Sequence, residues 1–220
     1  MSKPMLGVAL IVLASPVLAE RLHVDPNVGN STFVATFDAK LGERITATSS
    51  AVQCDTDYDA KAGTISGACS VPLNTIKVDN EDTKTEHFQQ WVTNKKMDPK
   101  ECKLEAKFVG VKLGQLLPER PVKFAADVPF TICGRTRRGG GKERLIGTAV
   151  LFPPGSYGEA KTVRIRATIN HFNRDKYEIG PKYAEGWLSR VQSLVKVVAE
   201  EGTIELSLFA RAPKEESVEK

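Results

Sequence analysis

Hydrophobic and polar residues alternate along most of the chain, and the clearest case runs from Thr162 to Asn170. Aliphatic residues there occupy every second position and are separated by Arg164, Arg166 and Thr168. Such alternation predicts a β-strand with one buried face and one wet face. Similar rows occur near both ends of the chain, and the inward positions predicted for these strands are Phe33, Phe37, Val163, Ile165, Ile169, Leu206 and Leu208.

Turn-prone residues separate further strand-like segments at regular intervals. The predicted strands cover 31–38, 45–56, 64–73, 102–112, 122–134, 144–152, 162–170, 191–199 and 203–211, and the last two would join at Glu200, Glu201 and Gly202. About eight or nine strands with one helix predict an all-β fold, either a sandwich or an antiparallel barrel of about eight strands. We expect the barrel, because closure removes exposed strand edges.

One segment, Thr83–Lys96, has the signature of a helix. Thr83 and Glu86 have the spacing of a capping box, and Phe88 and Trp91 fall on one face of the predicted helix. We expect this face to dock across one mouth of the barrel. Two interpretations of the aromatic pair stay open: the rings fill the core, or they line the end of an apolar cavity.

The four cysteines predict disulfides, because an even number of cysteines is typical of an exported protein. If the second and third predicted strands form a hairpin, counting outward from its turn brings Cys54 opposite Cys69. If the fourth and fifth strands form another, the same counting brings Cys102 opposite Cys133. The sequence therefore predicts the disulfides Cys54–Cys69 and Cys102–Cys133.

Residues 1–19 have the pattern of a signal peptide, with Lys3 before a short apolar run and the small residue Ala19 before the expected cleavage site. A membrane anchor is the alternative, but the run is shorter than the roughly 20 residues that span a bilayer. We expect cleavage after Ala19 and export to the periplasm or the medium. One β-barrel domain would then cover 20–212, and a charged, disordered tail would cover 213–220.

Few residues suggest a catalytic or metal-binding function. His23, His87 and His171 lack the spacing of a zinc site, so we interpret them as ordinary polar residues and keep a metal site only as the alternative. No G-x-S-x-G nucleophile motif is present, and we predict no catalytic residue. The net charge of +4, without a zinc-finger or RNP-like motif, argues against nucleic-acid binding. The segment Arg135–Arg144 contains a glycine run between basic residues, which predicts a solvated hairpin tip or, alternatively, an anion site.

Four segments resemble motifs of the YceI family of exported, lipocalin-like proteins, in the family's order. Asp25-Pro26 and then NSTFVA at 30–35 are similar to D-P-x-H-S-x-V-x-F, and the segment 74–91 with EHF at 86–88 is similar to the stretch that ends in R-D-x-H-L. FTICGRT at 130–136 is similar to L-T-I-H-G-V-T, and NRDKYEIG at 173–180 is similar to R-x-D-F-G-I. The chain departs from these motifs at Asn30 and Cys133, where the family has histidines.

The resemblance implies an up-and-down, lipocalin-like β-barrel with one helix over a mouth and an apolar interior that holds a polyisoprenoid or similar lipid. The inward rows, Phe88 and Trp91 would contact an isoprenoid, acyl or quinone chain, and His87 or Arg174 at the rim would hold a polar head. No cofactor, catalysis or membrane span is expected, and a dimer stays open.

Alternation alone cannot distinguish a hollow barrel from a filled one. The alternative function is therefore an interaction module with a solid barrel, whose basic tip at Arg135–Arg144 docks an anionic partner or a membrane surface.

Overall fold

The computed structural model describes residues 19–28, 30–39, 42–156, 158–184 and 198–212. The predicted signal peptide apart from Ala19, most of the predicted strand 191–199 and the predicted tail lie outside the described residues. In the part of the chain that the structure describes, no helix is both long and apolar enough to cross a membrane.

The described part of the chain is mostly antiparallel β-sheet, which confirms the predicted all-β class. The strands are β1 (Glu20–Val24), β2 (Thr32–Ala39), β3 (Arg44–Ser49), β4 (Gln53–Asp59), β5 (Thr64–Pro72), β6 (Lys77–Val78), β7 (Lys103–Lys112), β8 (Val122–Val128), β9 (Phe130–Ile132), β10 (Arg135–Thr136), β11 (Glu143–Phe152), β12 (Thr162–Asn173) and β13 (Val198–Arg211). The α-helices are α1 (Asp82–Thr93) and α2 (Pro181–Ala184), and 3-10 turns cover Pro26–Val28, Leu73–Thr75, Pro99–Glu101 and Arg174–Tyr177.

All of these strands belong to one sheet. Its main order is β10-β9-β7-β5-β4-β1-β13-β12-β11-β8, while β2 pairs with β13 and β3, and β3 also pairs with β6. Among the described strands this order does not return from β8 to β10, so backbone pairing does not close the predicted eight-strand barrel. The sheet nevertheless bends back on itself, because Phe33 of β2 and Leu104 of β7 line one cavity although their strands lie far apart in the order.

The first predicted hairpin is present, with β4 and β5 paired so that Cys54 lies opposite Cys69. The two cysteines form a disulfide with their Cα atoms 4.1 Å apart. The predicted strand 45–56 is wrong in its length, because it is divided into β3 and β4. The side chain of Ser49 accepts the N–H of Ala51 at 3.1 Å and turns the chain between them, so that β3 pairs with β2 and β6 instead.

The second predicted hairpin is only partly correct. Of the predicted strand 122–134, only β9 pairs with β7, whereas β8 pairs with β11. Pro129 separates β8 from β9, and its carbonyl accepts the N–H of Lys107 at 3.1 Å. Because proline has no N–H to donate, it interrupts the ladder and lets the chain change partners. The disulfide Cys102–Cys133 is present beside this short ladder, with Cα atoms 4.6 Å apart.

The predicted turn at Glu200–Gly202 is wrong, because β13 continues through these residues. The register with β2 shifts between Val198 and Gly202, which places a bulge inside the strand. Gly202 lies opposite Phe37, and a Cβ at Gly202 would overlap the Phe37 ring and the carbonyl oxygen of Thr36. The glycine therefore marks a close approach between strands.

The predicted helix exists, but its capping box is wrong. Asp79 and Asn80 adopt left-handed conformations, and the carbonyl of Glu81 accepts the first helical bond, from Thr85 at 2.9 Å. The helix thus begins at Asp82 with Glu81 as the N-cap, and Thr83 is already inside it. It ends at Thr93, because Asn94 takes the left-handed conformation.

The predicted inward rows are confirmed. Phe33, Phe37, Val163, Ile169 and Leu208 are buried, and Ile165 and Leu206 are partly buried against the same core.

Candidate functional site

A cavity of about 320 Å³ lies beneath α1. Its walls are almost entirely apolar and come from strands, from α1 and from the segment around Arg174. The apolar lining residues are Phe33, Ala35, Phe37, Ile45, Ala47, Val78, Phe88, Trp91, Val92, Leu104, Ile132, Phe172, Ile179, Val198 and Ile204. This volume falls near the lower end of the range for small-molecule pockets, about 300–1,000 Å³.

The period-two alternation of the strands produces this lining. Phe33, Ala35 and Phe37 are buried on one face of β2, and Ala47 is buried on the neighbouring β3. The small side chains Ala35 and Ala47 face each other in the ladder. Because alanine fills little volume, this pair leaves space between the sheet and the helix.

Helix α1 covers the cavity with Phe88, Trp91 and Val92. At its start, the buried hydroxyl of Thr85 accepts the N–H of Val78 at 2.9 Å and so ties the helix to β6. At its end, the Arg135 guanidinium donates to the carbonyl of Val92 and, at 3.1 Å, to that of Tyr177. Burial lowers the pKa of Arg135. Both ends of the covering helix are therefore fixed by hydrogen bonds.

The polar lining residues are Glu43, Lys84, His87 and Arg174. Lys84 pairs with Glu81 at 2.8 Å and with Asp79 at 3.1 Å, and these hydrogen bonds raise its pKa. Its charge is therefore offset locally. The side chain of His87 is exposed and has no hydrogen-bond partner among the described residues.

The Arg174 guanidinium donates its hydrogen bonds to backbone carbonyls. It donates to the carbonyls of Ile179 at 2.7 Å, Val198 at 2.9 Å and Ala199 at 2.9 Å. Burial lowers its pKa. The guanidinium thus joins the Arg174–Tyr177 turn to β13 at the edge of the cavity.

The structure brings together six of the predicted ligand-contacting residues. Phe33, Phe37, His87, Phe88, Trp91 and Arg174 all line the large cavity. Ile165, Leu206 and Leu208 line a separate void of about 30 Å³. Ile169 lines another void of about 30 Å³, together with Phe33 and Leu206. Val163 lines none of these three spaces. Of these three spaces, the large one lies beneath α1, and no residue of α1 lines the two small ones.

Sequence reasoning missed part of the cavity wall. The sequence-based prediction did not include four residues of the wall: Leu104, Ile132, Phe172 and Ile179. Of these, Leu104 and Ile132 do alternate with polar neighbours. Phe172 follows the end of the predicted strand and contacts Phe37 edge to face at a ring separation of 6.3 Å. The extension of β12 beyond Asn170 would have been needed to predict it.

The basic tip is largely neutralised. Arg137 lies 3.7 Å from Glu143, Arg138 lies 3.9 Å from Glu178, and Arg144 lies 3.1 Å from Asp127. Arg135 is directed inward to the backbone carbonyls described above. This arrangement leaves Lys142 without an ion pair among the described residues.

Beneath this tip, the hydroxyl of Tyr177 donates to the buried carboxylate of Glu143 at 2.8 Å. Burial and this hydrogen bond raise the pKa of Tyr177. Its ring stacks on Phe172 at 5.2 Å, which links the pair to the cavity wall. Within the described ranges, no group of three or more His, Cys, Asp or Glu side chains could hold a metal ion.

No protein-family model and no curated protein matches the chain. Among solved structures, the chain is similar to a polyisoprenoid-binding domain from Saccharophagus degradans implicated in plant cell wall breakdown. The two share 13% sequence identity with a TM-score of 0.52, and the match covers 89% of this chain and 99% of that domain. At this identity the likeness shows the fold alone, so this chain shares the mostly antiparallel β fold of that domain.

Proposed function

We propose that this protein is a non-catalytic lipid-binding protein that holds an isoprenoid or acyl chain in the cavity beneath α1. The observation that carries the proposal is the nearly continuous apolar wall around a space of about 320 Å³. Removing apolar surface from water stabilises a complex by about 25 cal/mol for each Å², so a dry cavity suffices for affinity. The likeness in fold to a polyisoprenoid-binding domain supports the same ligand class.

The polar groups at the cavity favour a ligand with an uncharged head. Lys84 is paired with two carboxylates, Arg174 is bonded to three carbonyls, and Glu43 contributes a negative charge. A phosphate or diphosphate would find little unpaired positive charge there. A hydroxyl or a quinone carbonyl can bind next to the exposed His87 without such compensation.

Two disulfides support export, because disulfides persist in oxidising compartments. We propose that the protein acts in the periplasm or the medium after loss of residues 1–19, and that it is a divergent member of the YceI family. The paired arginines of the tip give the alternative docking function no specific support.

Calorimetric titration with geraniol or farnesol tests the proposal. We expect binding with a negative heat-capacity change, the signature of buried apolar surface. Phe88→Glu should weaken binding at least tenfold, because it introduces a charge into the apolar wall. Thr83→Glu adds the same charge at an exposed position of the same helix and should bind like the wild type. Equal affinity of the two variants, or no binding by the folded wild type, would contradict the proposal.

A further inference from the structure

The three spaces described above lie in a row. The cavity beneath α1 shares Phe33, Leu104 and Ile204 with the small void that Ile169 lines. That void shares Cys69, Phe108, Leu145 and Leu206 with the small void that Leu208 lines, whereas the cavity and the Leu208 void share no lining residue. The Ile169 void therefore separates the other two spaces, and Phe33, Leu104 and Ile204 form a partition between it and the cavity.

This partition is built on paired backbone. Phe33 pairs with Ser49 of β3 and Leu206 of β13, so its position is fixed on both sides. Ile204 lies on the neighbouring β13, and Leu104 comes from β7, which lies far away in the sheet order. All three side chains are buried. The partition thus closes the interior from two sides of the bent sheet.

The volume above the partition sets a limit on chain length. A cavity of about 150 Å³ lined by aliphatic and aromatic residues takes one benzene molecule, which has six carbons. On that scale, the space of about 320 Å³ takes roughly twelve carbons. On the same scale, the void beyond it, about 30 Å³, takes about one carbon and so no further chain segment.

We propose that Phe33, Leu104 and Ile204 are a floor that determines ligand length, so that the protein selects apolar chains of about ten to twelve carbons. The inference rests on the proposed lipid-binding function and adds its substrate class: short isoprenoid or acyl compounds, about two isoprene units long. A longer chain leaves its remainder in water.

The test is the affinity of a series of straight-chain primary alcohols, from hexanol to octadecanol, measured by displacement of a fluorescent apolar probe. In the wild type, affinity rises about fourfold for each added CH₂ until the cavity is full, and then stays constant from about twelve carbons. Leu104→Ala and Phe33→Leu open the floor and move this limit to longer chains. Ala47→Val narrows the cavity above the floor and moves the limit to shorter chains.

Val163→Ala is the matched control, because Val163 is as deeply buried as Phe33 and Ile204 but lines none of the three spaces. It should leave the limit unchanged. Affinity that keeps rising to octadecanol in the wild type, or a limit that stays constant in Leu104→Ala and Ala47→Val while both bind hexanol, would overturn the floor but not the lipid-binding function. Absence of binding along the whole series would overturn both.

Discussion

Phe37 of β2 lies against the backbone of Gly202, its cross-strand partner on β13, so closely that the glycine has no room for a Cβ. The ring also lines the cavity beneath α1 and contacts Phe172 edge to face. Glycine normally weakens a strand, but this position requires it, because the Phe37 ring in the cavity wall leaves no space for a larger residue.

Gly202→Ala should displace the Phe37 ring and destabilise the fold by about 1–3 kcal/mol, the usual cost of overpacking. Urea unfolding measures this change. Phe37→Leu in the same chain should recover part of the loss, because the smaller side chain makes room for the methyl group. Additive effects of the two substitutions would contradict the contact.

Tyr177→Phe should destabilise the fold by about 1–3 kcal/mol, because it removes a hydrogen bond to the buried Glu143 carboxylate. Tyr183→Phe is the control: its hydroxyl donates to Asp175 at 2.9 Å in a part-buried setting, and its loss should cost about 0.5 kcal/mol.

The contribution of Tyr177 should also depend on pH. Burial raises its pKa above the ordinary value of 10.0, so the unfolded chain loses the proton first as pH rises. The stability difference between wild type and Tyr177→Phe should stay constant below about pH 9 and shrink above pH 10. A difference that remains constant up to pH 11 would contradict the raised pKa.

Much of this arrangement follows from sequence, because period-two alternation identifies which side chains point inward. Phe33, Phe37 and Leu208 were predictable in this way, and counting from turns was sufficient to pair Cys54 with Cys69. Alternation does not show how far away the opposite wall lies. The strands around the large cavity and those around the two small voids show the same alternation, so the sequence could not predict which of these spaces would be large.

Other errors arose where a side chain or a proline changed the local partner. Pro129 interrupts the strand predicted over 122–134, so that β8 pairs with β11 and not with β7. Gly202 was interpreted as a turn residue, although it lies inside β13 where two strands approach closely. The helix start was misplaced because the hydroxyl of Thr85 binds Val78 and the left-handed Asp79 and Asn80 precede the helix, features that short-range spacing rules do not capture.

Both disulfides should contribute to stability, and Cys102–Cys133 should contribute more. They close loops with sequence separations of 15 for Cys54–Cys69 and 31 for Cys102–Cys133. Chain-entropy estimates give about 3 kcal/mol for a 15-residue loop and slightly more for the longer one. Paired replacement by alanine, followed by urea unfolding, measures each contribution. A larger loss for the Cys54–Cys69 pair would show that local packing outweighs loop length.

Arg135→Lys should loosen the end of α1, because a lysine ammonium cannot reproduce the guanidinium fork that reaches both Val92 and Tyr177. We expect roughly tenfold faster hydrogen exchange in the last turn of the helix, which corresponds to the loss of about one hydrogen bond. Arg144→Lys makes the same change in the exposed pair with Asp127 and should leave α1 unaffected. Identical exchange in the two variants would show that Arg135 does not hold the helix.

Lipid binding in the cavity beneath α1 is tested most directly by native mass spectrometry, with organic extraction, of the protein purified from its own cell envelope. We expect a bound apolar molecule with an uncharged head, retained by Thr83→Glu and lost from a folded Phe88→Glu variant. A homogeneous protein at the mass of the bare chain, still empty after incubation with isoprenoid alcohols and quinones, would contradict it.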